Sequence, residues 1–90
     1  MSSGIKDAQM IFGREAVRKV LADPRAACSA LITEAEAVRL AMADLRRSAS
    51  ELKQAVEYCQ ALPPPVQLGM IALMTGQGKR TLKQLGVIEK

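Results

Sequence analysis

The sequence predicts an all-α fold, and three observations carry that prediction. Apolar residues make up 49% of the 90-residue chain, yet Phe12 and Tyr58 are its only aromatics. The core must therefore come from Leu, Val, Ile, Met and Ala, which with the abundant Glu, Lys, Gln and Arg are mostly good helix formers. Clusters of Val, Ile, Thr and Tyr of the kind that mark strands are missing. Finally, the stretch over 24–62 has no Gly and no Pro after Pro24, and it repeats apolar residues every seven positions. The expected architecture is a single domain over 1–90. One long heptad-patterned helix, about 24–62, would carry a shorter N-terminal helix and a C-terminal helical hairpin packed on it.

The first helix is expected over 5–22. It ends at Asp23-Pro24 because a residue that precedes proline disfavours α geometry. Asp23 then suits the N-cap of the second helix, with Pro24 at its first position. Along that helix Cys28, Ala35, Met42, Ala49 and Val56 recur seven apart, and Leu31, Val38, Leu45, Leu52 and Cys59 do so three residues later. These are the a and d positions of a helical seam. The core of an oligomer or partner seam is assigned to Leu31, Ala35, Val38, Met42, Leu45, Ala49, Leu52 and Val56, with Leu45 at its middle. Arg25, Arg39, Arg46 and Lys53 fall at e positions and form a basic line along one flank. That line reads either as a solvated flank whose stems cover apolar surface or as a docking edge for an acidic partner.

A seam of this length predicts a homodimer. Antiparallel pairing sets Ala35 opposite Leu52 and Val38 opposite Ala49, small against large, and brings Cys28 to Cys59 of the mate. Within one straight helix these two cysteines would stand about 46 Å apart, so no intrachain disulfide is expected.

Pro63-Pro64-Pro65 ends the long helix in a stiff hinge over 63–65. A third helix over 66–74 is apolar nearly all round, as a buried or contact-making helix would be. A turn over 75–78 and a short basic helix over 79–85, closed by Gly86, complete the chain.

The segment from Thr75 to Thr81, TGQGKRT, ends in a Gly-Lys pair but is no phosphate loop. Leu73 stands where that motif needs its first glycine, Arg80 follows Lys79 in place of Ser or Thr, and no strand precedes it. The segment 68–85 resembles a helix-turn-helix. Ala72 takes the small position at the helix crossing, Gly76 the turn, and Leu82 and Leu85 the apolar positions of a second helix. That helix would present Lys79, Arg80, Lys83 and Gln84 to phosphates and base edges. Thr75 and Gln77 depart from the pattern, since both stand where apolar residues usually pack.

Histidine is absent and the two cysteines fall on the apolar seam, where thiols are usually inert. The carboxylates are scattered along outer helix faces. No enzymatic activity, cofactor or metal is expected. A net charge of +4 permits nucleic acid or an acidic partner without demanding either. No stretch reaches membrane-spanning length, and the N-terminus has no signal-peptide pattern. With two cysteines short of a disulfide framework, the chain is expected in the cytoplasm.

Two functional readings follow. The first is a small protein–protein interaction module (an adaptor, chaperone-like or inhibitory protein) that docks by a helix face to a larger partner, with Met10, Met42, Met70 and Met74 as adaptable apolar contacts. The second is a dimeric DNA-binding regulator that uses segment 68–85.

Overall fold

Among the described residues six helices follow one another: α1 Ser3–Phe12, α2 Arg14–Ala22, α3 Pro24–Thr33, α4 Ala35–Ser48, α5 Leu52–Gln60 and α6 Pro64–Met74. The computed structural model describes residues 3–48, 50–78 and 83, and among these there is no strand. The all-α expectation holds. The single long helix does not.

The helix expected over 5–22 is two helices, because Gly13 stands between them at φ 94 and ψ 152, a region open essentially to glycine alone. The turn lets Ala8 and Ile11 of α1 and Val17 and Val20 of α2 all point inward. Nothing lies within 4 Å of where a Gly13 side chain would begin, so a substitution meets no steric obstacle. Gly13→Ala is expected to cost about 1–2 kcal/mol through backbone strain alone. Urea denaturation checks this, and an unchanged midpoint would show that the α1–α2 joint relaxes freely.

The helix expected over 24–62 is three helices. A straight helix of that length would run about 58 Å, whereas the longest dimension of the described chain is 37 Å. The first break is at Thr33-Glu34, where the Thr33 hydroxyl donates to the Ala30 carbonyl at 3.3 Å and Glu34 leaves helical geometry at φ −112, ψ 27. A hydroxyl bonded back to its own turn competes with the helix ladder. The second break follows Ser48. There the Gln54 side chain accepts from both the backbone N–H and the hydroxyl of Ser50, at 3.1 and 3.2 Å, a backward reach like that of a capping box. Asp23 and Pro24 do occupy the N-cap and first-turn positions of α3, but Asp23 makes no side-chain capping bond.

These breaks wrap the chain around α6. Val66, Gly69, Met70, Ile71 and Ala72 of α6 are buried, while Leu68 and Leu73 are exposed, so the all-round apolar segment is in part a core helix and in part a surface. The proline segment does not form a separate hinge. Pro64 and Pro65 open α6 itself and Pro63 stands as its N-cap, since proline lacks only an N–H that the first turn leaves unused. One side of α6, with Ile71 and Ala72, packs with Ala8, Val17, Val20, Ala27 and Cys28. Its other side, with Val66 and Met70, packs with Ile11, Val38, Ala41, Ala55 and Cys59. Phe12 and Met74 touch both clusters.

A polar contact fixes α5 against α4: the Tyr58 hydroxyl donates to Oδ2 of Asp44 at 3.2 Å. Gln67 of α6 donates to the Leu62 carbonyl at 2.8 Å and so closes the end of α5. Burial, then the hydrogen bond to Asp44, raises the Tyr58 pKa above its ordinary 10.0, and burial raises that of the Cys59 thiol above 9.0. Both groups hold their protons longer when folded than when unfolded. Their contribution to stability is therefore complete below about pH 9 and is lost as pH rises through the folded values. Tyr58→Phe is expected to cost about 1 kcal/mol at neutral pH and to flatten the fall in stability above pH 10. Melting curves from pH 7 to 11 check both, and an undiminished alkaline slope in the variant would show that the hydroxyl plays no part.

Candidate docking surface

The seam residues do not form a continuous seam. Val38 is 1% exposed and lies in the core of its own chain. Leu31, Met42, Leu45 and Val56 are half-buried, Ala35 and Leu52 are exposed, and Ala49 lies outside the described residues. Leu45 packs partly against the second core cluster. The antiparallel pairing expected from the heptads needs an unbroken helix, and three helices take its place. Cys28 and Cys59 are both free and buried, but in different clusters of one folded chain rather than at opposite ends of a rod.

The outward face of α4 nevertheless keeps two of these positions, Ala35 and Met42, beside Arg39 and Arg46 of the basic flank. Ala35, Arg39, Met42 and Arg46 follow at helical spacing, so they share one face. On one side this face meets Leu31 of α3 and Leu73 of α6 across an open groove of about 380 Å³. On the other side Met42, Leu45 and Arg46 face Met10 and Asp7 of α1 and Leu52 of α5 across a second groove of about 310 Å³. Met42 and Arg46 form the ridge between the two. Met10, Leu52 and Leu73 are each about half exposed, an apolar presence that their own chain leaves uncovered.

Of the basic flank, only Arg39 and Arg46 reach these grooves. Arg25 and Lys53 are exposed on α3 and α5 but line neither groove. Arg39 pairs with Glu36 at 3.1 Å, both side chains being more than 70% exposed. Arg46 makes no ion pair among the described residues.

The C-terminal segment keeps the turn expected of it, but shorter. α6 ends at Met74, Thr75 and Gly76 turn, and Gln77 and Gly78 are again helical. Gly76 has φ 80, the left-handed region that glycine enters without strain. Ala72 is fully buried at the crossing. Thr75 is also buried, its hydroxyl bonded to the Ile71 carbonyl at 2.8 Å, so a threonine fills the apolar position by satisfying its own polar group. The Gln77 carbonyl lies 3.6 Å from the Cys28 thiol, which holds the start of the segment on α3. Lys83 is helical and exposed, whereas Lys79, Arg80 and Gln84 lie outside the described residues.

Among the described residues no helix is long and apolar enough to cross a membrane, and no three Cys, Asp or Glu side chains gather as metal ligands would. Compared with protein-family models, curated proteins and solved structures, the chain matches none of them.

The sequence pointed to Met42 and Arg46 but missed Met10, Leu73 and Asp7 as their neighbours. α1 and α6 are distant from α4 in the chain and reach its face through the breaks between the helices, Glu34 among them. The serines at 48 and 50, with Gln54 four residues on, were the local signal for the break that follows Ser48.

Proposed function

We propose that this chain is a non-enzymatic protein–protein interaction module that receives an apolar, acidic-rimmed segment of a larger partner on the α4 face. The observation that carries this reading is the pair of open grooves that share the Met42–Arg46 ridge. They are methionine-lined, which suits adaptable contacts, and are rimmed by arginine, which orients an acidic partner more than it adds affinity. The role is that of an adaptor, a chaperone-like protein or an inhibitor. A reducing cytoplasm, in which Cys28 and Cys59 remain thiols, is the compartment that suits it.

Capture from nuclease-treated extract of the source cell tests this reading. The wild type is expected to retain one protein in stoichiometric amount. Ala43→Glu, a change at an exposed helix position beside the ridge, is expected to lose it with unchanged circular dichroism. Equal capture by both proteins would place the docking surface elsewhere and sink the proposal.

A second reading, a DNA-binding regulator, is favoured by one observation: the buried Ala72 followed by Gly76 at φ 80 and a return to helix at Gln77. It requires affinity for duplex DNA that falls steeply with salt and is lost when Lys79, Arg80 and Lys83 become alanine. It also calls for two copies of the chain, to match two half-sites.

A further inference from the structure

We propose that the groove between α4 and α6 takes an amphipathic helix that carries two carboxylates seven residues apart, set on Arg39 and Arg46, with apolar side chains between them on Met42 and Leu73. This rests on the interaction-module reading and specifies its partner.

The groove follows a helix. From Ala35 to Arg46 it extends eleven residues along α4, about 17 Å or three turns, and its wall repeats at helical spacing. Ala35 and Ala43 are small and exposed, so a second helix can approach α4 closely; helix axes pack 8–10 Å apart where the contacting side chains allow it. No strand edge is present among the described residues to pair with an extended segment, which leaves helix-in-groove docking as the mode this surface offers.

Charge sets the register. Arg39 and Arg46 are about 10.5 Å apart along the axis, and among the described residues none that lines this groove is acidic. The neighbouring groove has Asp7 as well as Arg46, so its rim carries both signs and selects no charge. The pair of Arg39 with Glu36 is exposed, and an incoming carboxylate can share the guanidinium against little resistance from such a pair. The same arginines disfavour a second copy of this chain as occupant, since two such faces laid antiparallel would set Arg39 against Arg46. A nucleic-acid backbone would leave the Met42 and Leu73 floor against charge.

Fluorescence anisotropy with the full chain at low salt tests the proposal. One probe is a labelled helical peptide of about four turns, with Glu at positions i and i+7 and Leu at i+3 and i+4; its sister has Lys at the two charged positions. The Glu peptide is expected to bind the wild type at least about tenfold more tightly than the Lys peptide. The double variant Arg39→Glu, Arg46→Glu, with both changes on exposed side chains, is expected to reverse that order. Equal binding of the two peptides, or an unreversed order in the double variant, overturns the proposed register while apolar docking on this face stands. Binding of neither peptide at about 1 mM, or displacement of the Glu peptide by duplex DNA, overturns the helical acidic occupant. The interaction-module reading fails separately, by capture that Ala43→Glu does not change.

Discussion

Met70→Ala is expected to lower the free energy of unfolding by about 2–5 kcal/mol, the usual cost of truncating a large apolar side chain in a packed core. Met70 is fully buried and lies on the side of α6 that packs with Val38, Ala41 and Cys59. Its helix is held from the opposite side by α3, so it cannot settle into the space that the missing atoms leave. For a domain of this size total stability is about 5–15 kcal/mol, and each kcal/mol shifts the melting temperature by roughly 4–8 °C. Calorimetry should therefore record a fall of at least roughly 8 °C. A shift under roughly 3 °C would mean that α6 is not the helix around which the others pack.

Gly69→Leu is expected to be as damaging, for the opposite reason. A Cβ at position 69 would stand 2.7 Å from Cγ2 of Val38 and 3.3 Å from Cα of Leu31. Val38 is itself buried, and the Leu31 contact is to backbone, so neither can yield without moving α3 or α4 off α6. Overpacking of this kind costs about 1–3 kcal/mol and occasionally more; with two helices displaced the upper part of that range is expected. The smaller change Gly69→Ala gives a sharper comparison. In an unhindered helix, alanine would gain about 1 kcal/mol over glycine. Here it should destabilise, and Val38→Ala should restore part of the loss by clearing the Cγ2 methyl. A double-mutant cycle reads this coupling. Strict additivity of Gly69→Ala and Val38→Ala in urea denaturation would show that the close approach at Gly69 does not exist.

The contrast between Gly69 and Gly13 shows how far the sequence could be read. Nothing local distinguishes them. Gly13 interrupts a helical pattern because its backbone enters a region closed to other residues, while Gly69 stays helical and serves only to let Leu31 and Val38 come near. The first is a conformational requirement and the second a packing requirement, and packing is visible only when the neighbours are known.

The candidate surface divides in the same way. Arg39, Met42 and Arg46 share a helix face by spacing alone, and this was legible because all three lie within α4. The opposite walls of the two grooves, Leu73 of α6 and Met10 and Asp7 of α1, were not legible. They come from elements distant in the chain, brought together by turns at Gly13, Glu34 and Ser48.

The sequence by itself determined the helical class, the stop at Asp23-Pro24 and the glycine turn at Gly76. Each depends on the chemistry of one residue or on the composition of one short segment, so no tertiary information is needed to read it. Only the tertiary structure decided whether the apolar stripe from Cys28 to Cys59 belongs to one rod or to three short helices. A seven-residue repeat records which face of a helix is covered, not what covers it. A second chain laid along a rod and the same chain folded around its own α6 both draw on that face and favour the same spacing, but the fold covers only part of it: Val38 is buried while Ala35 and Leu52 stay exposed.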